Sequence, residues 1–271
     1  MQKLLPLLIL LLLPLLALAQ APSPSNPSNP SNPSNPSNSS NPSNSSTPSN
    51  PSNPSNSSTP SFRITCVGNS ITEGYALADP ATEAYPARMQ QILGDEFYVL
   101  NCGISSHTAL NGTEFPYMRP NSKNRDPFHE ALRSNPDIVT IKLGTNDSKT
   151  RYDSLMHADF THDLLALVDS FQTLPSHPYI YLCLPVPATA ERWSIRDSVI
   201  QSDIIPRILQ IAAERHLAII DLYSVFKPFP ELLADNIHPN RAGAMLIAEE
   251  ISRRIQLDIA KGIVKRAADQ E

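Results

Sequence analysis

The chain is poor in cysteine, and its few cysteines are not spaced for a metal site. It has three, Cys66, Cys102 and Cys183, among 271 residues. No Cys or His cluster has the spacing of a zinc site, so we predict neither a metal nor an organic cofactor. All three cysteines lie within or at the end of apolar, strand-like runs. This favours buried free thiols over the alternative of one disulfide and a leftover thiol.

An excess of basic residues is also missing. The sequence holds 21 Lys and Arg against 26 Asp and Glu, which gives a formal net charge of −5. Proteins that bind nucleic acid carry a basic footprint to neutralise phosphates. We therefore do not expect a nucleic-acid partner.

The one long apolar run stands at the N-terminus. Lys3 precedes a leucine-rich stretch, residues 4–18, and residues 17–19 form an A-x-A-like cleavage site. A membrane-spanning helix usually needs about 20 apolar residues, and this run is shorter and contains two prolines. We predict a signal peptide over residues 1–19 and export to the periplasm, cell surface or medium, with no stable membrane insertion after cleavage. An uncleaved anchor is the alternative.

Residues 20–61 are of low complexity and repeat a Ser-Asn-Pro triplet. They contain no charge and no apolar residue larger than alanine or proline. Such a segment cannot bury a core that offsets its ordering entropy, and its prolines favour extended conformations. We predict a semi-stiff linker, which is either a spacer or a neutral repeat expansion. Residues 62–271 then form one domain.

Short apolar runs alternate with helix-spaced segments in residues 62–271. Near-continuous apolar strands indicate burial on both faces, as in a parallel sheet. The predicted strands are residues 62–67, 97–100, 137–143, 179–184 and 217–220. The predicted helices are residues 85–93, 160–171, 202–215 and a last one beginning after Pro239. This alternation predicts an α/β fold, a three-layer α/β/α sandwich around a five-stranded parallel sheet.

Polar residues that suit acyl transfer follow the strands. Ser70 follows the first predicted strand, Gly103 follows the second and Asn146 follows the third. Asp235 and His238 come just before the last predicted helix. Sites in open parallel sheets form beyond the carboxyl ends of the strands. These residues supply a nucleophile, a base, an orienting carboxylate and oxyanion donors in one place.

The four blocks resemble those of the SGNH hydrolases, also called the GDSL esterase/lipase superfamily. The resemblance spans Phe62 to about Leu257, and Gly144-Thr145-Asn146-Asp147 and Asp235-x-x-His238 are its most specific parts. A finer resemblance, to bacterial sialate O-acetylesterase-like and acetylxylan esterase-like carbohydrate esterases, rests on stretches such as residues 142–149. The first block departs from the pattern, because Asn69 stands where the family usually has Asp.

The resemblance implies a flavodoxin-like SGNH fold and a secreted serine esterase that removes acetyl groups from carbohydrates. Ser70 would be the nucleophile, His238 the base and Asp235 the group that orients it, with an oxyanion hole from the Ser70 and Gly103 N–H groups and the Asn146 amide. Two alternatives remain: a lipase, phospholipase or thioesterase on the same scaffold, and a catalytically silent carbohydrate-binding module.

Four further residues are candidates for the wall of the pocket. They are Tyr75, Lys149, Arg192 and Trp193, of which Trp193 is the only tryptophan and lies in the loop after the fourth predicted strand. An exposed tryptophan near a site can stack on a sugar ring, and the alternative is a packing role. Because the loops after the strands are mostly polar, we predict a small acyl pocket.

Overall fold

The computed structural model describes residues 62–120, 125–266 and 269. The predicted signal peptide, residues 1–19, and the predicted linker, residues 20–61, lie outside these residues. In the described part of the chain, no helix is both long and apolar enough to cross a bilayer.

A five-stranded parallel sheet forms the centre of the fold and confirms the predicted class. Its strand order is β2-β1-β3-β4-β5, so β1 is paired on both sides. The strands are β1 (Phe62–Gly68), β2 (Phe97–Gly103), β3 (Ile138–Lys142), β4 (Tyr179–Cys183) and β5 (Ala218–Ile220).

Helices cover both faces of this sheet. One face packs against α4, α5 and α7, and the other packs against α3, α8 and α9. The helices are α1 (Ser70–Glu73), α2 (Pro80–Glu83), α3 (Tyr85–Leu93), α4 (Pro127–Arg133), α5 (Asp153–Gln172), α6 (Asp197–Val199), α7 (Ile205–Arg215), α8 (Leu222–Phe226) and α9 (Arg241–Ala260). Short 3₁₀ turns occur at Asn146–Ser148, Thr150–Tyr152 and Pro230–Leu232.

The buried strands send alternate side chains into two separate apolar layers. In β3, Ile138 packs in the layer under α3 and α9, whereas Val139 and Ile141 pack in the layer under α5 and α7. This alternation follows from the two-residue period of a strand. It explains why β3 reads as a continuous apolar run. The three cysteines are buried free thiols, as predicted.

Two helices differ from their predicted bounds. Helix α5 begins at Asp153, seven residues before the predicted start, because its first two turns bury only Met156 and so lack an apolar period. Helix α7 follows a π-helical turn over Ile200–Ile204. Pro206 lies in the first turn of α7 and has no N–H for the regular helical bond, which accounts for the wider turn before it.

Close packing of β2 against α1 gives a stability prediction. A Cβ atom on Gly103 would lie 2.2 Å from the Glu73 backbone nitrogen, which cannot move aside as a flexible side chain can. We expect Gly103→Ala to cost about 3 kcal/mol by overpacking. The thermal midpoint should then fall by about 6 to 12 °C.

Gly112→Ala is the matched control, because its Cβ would meet only the Leu155 side chain, at 3.2 Å. Thermal melts of both variants beside the parent protein measure the difference. Equal melting temperatures for the two variants would contradict the close contact.

Candidate active site

Ser70 is held at the start of a very short helix, α1, directly after strand β1. The Asn69 side chain caps α1 by accepting a hydrogen bond from the Ile71 N–H (3.1 Å). Gly74 ends the helix with φ 93°, in the left-handed region that suits glycine. Asn69 therefore caps this helix without the negative charge that an Asp would carry. Its Nδ2 is buried and has no hydrogen-bond partner in the described chain.

Asp235 and His238 lie in a tight loop just before α9. One carboxylate oxygen of Asp235 accepts hydrogen bonds from the backbone N–H groups of Ile237 (3.1 Å) and His238 (2.7 Å). Asn236 has φ 73°, a left-handed conformation that Asn tolerates better than most residues. This local bonding explains the Asp-x-x-His spacing, because the carboxylate organises the loop that presents the histidine.

The structure brings Ser70, His238 and Asp235 into one hydrogen-bonded chain. The Ser70 Oγ lies 2.8 Å from His238 Nε2, and His238 Nδ1 lies 2.9 Å from Asp235 Oδ2. A carboxylate can only accept, so Nδ1 carries the proton and Nε2 is left to accept from Ser70. This is the geometry of a nucleophile, a base and an orienting acid.

Burial sets the charge state of this chain of groups. Burial lowers the pKa of His238, while Asp235 opposes the shift and the positive charges of Lys142 and Arg192 reinforce it. Burial raises the pKa of Asp235, but the hydrogen bonds from His238 outweigh that effect and hold the pKa below its usual range. His238 is consequently a neutral base and Asp235 a carboxylate at neutral pH.

Asn146 lies in the turn after β3, with its amide close to the same site. Its Nδ2 donates one hydrogen bond to the His107 carbonyl at 3.1 Å, which leaves the second N–H available. The neighbouring Asp147 is fully buried and accepts from the Leu110 and Gly144 N–H groups. Burial raises the pKa of Asp147 to about 6 although these bonds oppose the shift. These hydrogen bonds to Asp147 thus fix the position of the loop that contains Asn146.

Among the predicted oxyanion donors, Gly103 is the one that the structure does not bring to the cavity wall. Its N–H donates to the Asn101 side chain at 2.9 Å, and it does not line the space beside Ser70. Ser106 lines that space instead, with φ 70°. Its N–H has no hydrogen-bond acceptor among the described residues. The sequence carries no signal for this role, because a left-handed serine lacks the glycine that usually marks such a turn.

A cavity of about 480 Å³ opens over Ser70 and His238. This volume lies within the range of small-molecule sites. The remaining residues that line it are Tyr75, Ser105, Ser106, Asn146, Lys149, Arg151, Trp193, Ser194 and Ile195. Three of the four candidates for the pocket wall are among them: Tyr75, Lys149 and Trp193.

Two half-exposed aromatic rings flank His238 at the mouth of the cavity. The ring centroids of Tyr75 and Trp193 lie 4.6 Å and 5.4 Å from that of His238. Trp193 is 46% exposed and Tyr75 is 49% exposed, so neither is a core residue. The Arg192 guanidinium stacks on Trp193 at 4.3 Å from the ring centroid, which accounts for the position of Arg192 outside the cavity wall.

A serine bonded to a histidine that is bonded to a carboxylate, at the carboxyl edge of a parallel sheet, defines a serine-hydrolase type of site. In residues 62–120, 125–266 and 269, no group of three or more His, Cys, Asp or Glu side chains is arranged to hold a metal ion. The chain belongs to the GDSL-like lipase/acylhydrolase family, whose model matches residues 66–246. Membership places it among the carboxylic ester hydrolases.

A curated relative and several solved structures are similar to the chain. An acetylxylan esterase of Xylanibacter ruminicola is 38% identical over 213 residues, which cover 72% of this chain and 43% of the relative. The chain thus matches less than half the length of that relative.

The solved structures share the fold at lower identity. An aryl esterase of M. smegmatis is 17% identical with a TM-score of 0.58, over 72% of this chain and 99% of that one. A catalytic mutant of an acetylxylan esterase from Geobacillus stearothermophilus is 21% identical with a TM-score of 0.55, over 72% and 94%. These likenesses identify the SGNH hydrolase fold.

The electrostatics of His238 give a pH prediction. Only unprotonated His238 can accept the Ser70 proton, so the acid limb of kcat/KM on a soluble ester should lie below pH 6.5, the ordinary pKa of histidine. Lys142→Met removes a positive charge that lowers the pKa of His238. The pKa should rise, and the acid limb should move to higher pH.

Lys227→Met is the control, because Lys227 is exposed and lies outside the cavity wall. The acid limb of kcat/KM for Lys227→Met should lie at the same pH as that of the parent protein. A folded Lys142→Met protein with an unmoved limb would contradict the electrostatic coupling.

Proposed function

We propose that the chain is an exported serine esterase that removes acetyl groups from carbohydrates. The observation that carries the proposal is the hydrogen-bonded chain from Ser70 through His238 to Asp235, beneath a cavity edged by exposed aromatic rings. The 38% identity to an acetylxylan esterase supports the acyl group and the substrate class. The predicted signal peptide supports export.

In the proposed mechanism, His238 Nε2 takes the Ser70 proton as the Ser70 Oγ attacks the ester carbonyl. Asp235 holds the His238 tautomer and stabilises the imidazolium. His238 then gives the proton to the departing sugar oxygen as its bond to the acyl carbon breaks, so the sugar leaves as an alcohol and the acetyl group remains on Ser70. Water attacks this acyl-enzyme with His238 again acting as base, and acetate is released.

The oxyanion of each tetrahedral intermediate needs donors that are already in position. We assign the Ser70 N–H, the second N–H of the Asn146 amide and the Ser106 N–H to this role. The free Ser106 N–H and its place on the cavity wall support it over Gly103, whose N–H is bonded to Asn101. Each such donor typically contributes about 3 kcal/mol in the transition state.

The aromatic rings support a carbohydrate substrate. Trp193 and Ser194 both have left-handed backbones, with φ 51° and 60°, so the loop that presents the Trp193 ring is strained. Strained, exposed aromatic residues beside a nucleophile are better explained by a ligand than by packing. Their flat faces suit the apolar faces of sugar rings.

A longer acyl group is the second candidate, and one feature favours it. A neighbouring cavity of about 800 Å³ shares Tyr75, Ser105 and Ser106 with the first. Its wall includes the apolar side chains of Leu77, Ile104 and Phe115. An acyl chain that reached this space would gain about 0.8 kcal/mol per buried methylene.

Acyl-chain length separates the two candidates. For an acetylesterase, we expect kcat/KM to fall from p-nitrophenyl acetate through butyrate to octanoate, because the extra methylenes clash or stay in water. For a lipase it should rise with chain length. Steady-state kinetics on the three esters measure this, and octanoate as the best substrate would overturn the acetylesterase proposal.

A further inference from the structure

The charge on the wall of the catalytic cavity is opposite to that of the whole chain. The chain carries a net charge of −5, yet no Asp or Glu is among the described residues that line the cavity. The side chains on its wall that carry a full positive charge are those of Lys149 and Arg151. A cavity for a neutral acetylated sugar needs hydrogen-bonding groups but no net positive charge.

Lys149 is the unusual member of this pair. It is 8% exposed, and the turns on either side hold its backbone, with its N–H donating to Asn146 O and its carbonyl accepting from Tyr152 N. Across the described ranges 62–120, 125–266 and 269, its ammonium has no hydrogen bond or salt bridge. Arg151, by contrast, is half exposed and pairs with Glu114 at 3.1 Å.

The surroundings of Lys149 leave its positive charge poorly compensated. Burial lowers its pKa, and the nearby Arg151 lowers it further, while Asp147 and Glu114 only partly oppose these effects. Lys149 lines the cavity with no counter-ion among the described residues bonded to its ammonium, so an anion bound in the cavity would offset the cost of its partial desolvation. The hydroxyls of a neutral sugar can accept hydrogen bonds but supply no counter-charge.

We propose that Lys149, with Arg151 at the rim, forms a subsite for a carboxylate of the substrate. The preferred substrate is then an acetylated carbohydrate that contains an acidic sugar, such as a uronic acid. This inference rests on the proposed function and narrows its substrate class. Lys149 follows Asn146 by three residues on one loop, so the subsite lies on the same wall as the proposed oxyanion donor. An ammonium–carboxylate contact is a charge-assisted hydrogen bond, stronger than a neutral one.

A pair of non-reacting sugars tests the subsite directly. Methyl glucuronoside and methyl glucoside share one ring and differ in a carboxylate, and each is tested as an inhibitor of p-nitrophenyl acetate hydrolysis. We expect the glucuronoside to inhibit at concentrations at least tenfold lower. Lys149→Met should remove most of this difference, and Lys149→Arg should retain part of it.

Lys261→Met is the control, because Lys261 is exposed and follows the C-terminal end of the 20-residue helix α9, whose other end lies next to His238. It should keep the full difference between the two sugars. Equal inhibition of the parent protein by both sugars would overturn the subsite. An undiminished difference between the two sugars in Lys149→Met would also overturn it. Loss of the difference in both Lys149→Met and Lys149→Arg would rule out a role based on the charge of residue 149.

Acetylated substrates then locate the carboxylate and separate this inference from the proposed function. The probes are acetylated neutral xylo-oligosaccharides, the same oligosaccharides carrying glucuronic acid beside the acetylated residue, and an O-acetylated sialic acid. A higher kcat/KM on either acidic probe supports the subsite and shows which ring carries the anion. Equal rates on neutral and acidic probes would overturn it while leaving the acetylesterase intact. If p-nitrophenyl acetate is the only ester hydrolysed, both the carbohydrate proposal and this inference fall.

Discussion

The parallel pairing of β1 with both of its neighbours is the constraint on which the site depends. Gly68 ends β1 opposite Gly103 of β2 and Lys142 of β3. Because the three strands end at one level, the segments that follow them begin side by side. Ser70, Ser106 and Asn146 lie two, three and four residues beyond these ends, and all three line one cavity. A shift in this register would separate the nucleophile from the donors around it.

The close packing of α1 against the sheet at this edge also depends on small residues. A Cβ atom on Gly68 would lie 2.0 Å from the Thr72 hydroxyl oxygen, and one on Gly103 would collide with the backbone of α1. The helix that begins with Ser70 can therefore lie directly against β1 and β2. His238 reaches it from the far side through the Asp235 loop. The nucleophile is fixed by strand pairing, and the base by a separate loop, which explains why residues 168 positions apart meet at 2.8 Å.

Much of this arrangement could be predicted from the sequence, for physical reasons. The strands are buried on both faces and read as apolar runs, and helix α3 is found at its predicted bounds because its apolar spacing is regular. The blocks after the strands mark Ser70, Asn146, Asp235 and His238. The helix start at Asp153 was missed because the first two turns bury only Met156 and so show no apolar period. Ser106 was missed because its left-handed backbone is imposed by the tertiary structure and leaves no mark in the residue type.

Two buried lysines give this site a positive environment. Lys142 is fully enclosed, and burial lowers its pKa to about 8. Lys149 opens on the cavity. Asn69, which replaces the usual Asp, adds no negative charge beside the nucleophile. The positive charge of Lys142 lowers the pKa of His238 and so helps to keep it unprotonated, whereas Lys149 lines the space that the substrate would occupy.

The central claim is that Ser70 is a nucleophile activated by His238, and covalent labelling tests it most directly. The protein is treated with a fluorophosphonate, digested and mapped by mass spectrometry. One adduct on the Ser70 peptide is expected, with none in Ser70→Ala and far slower labelling in a folded His238→Ala protein. An adduct on Ser105 or Ser106 in its place, or labelling at the parent rate without His238, would contradict the account.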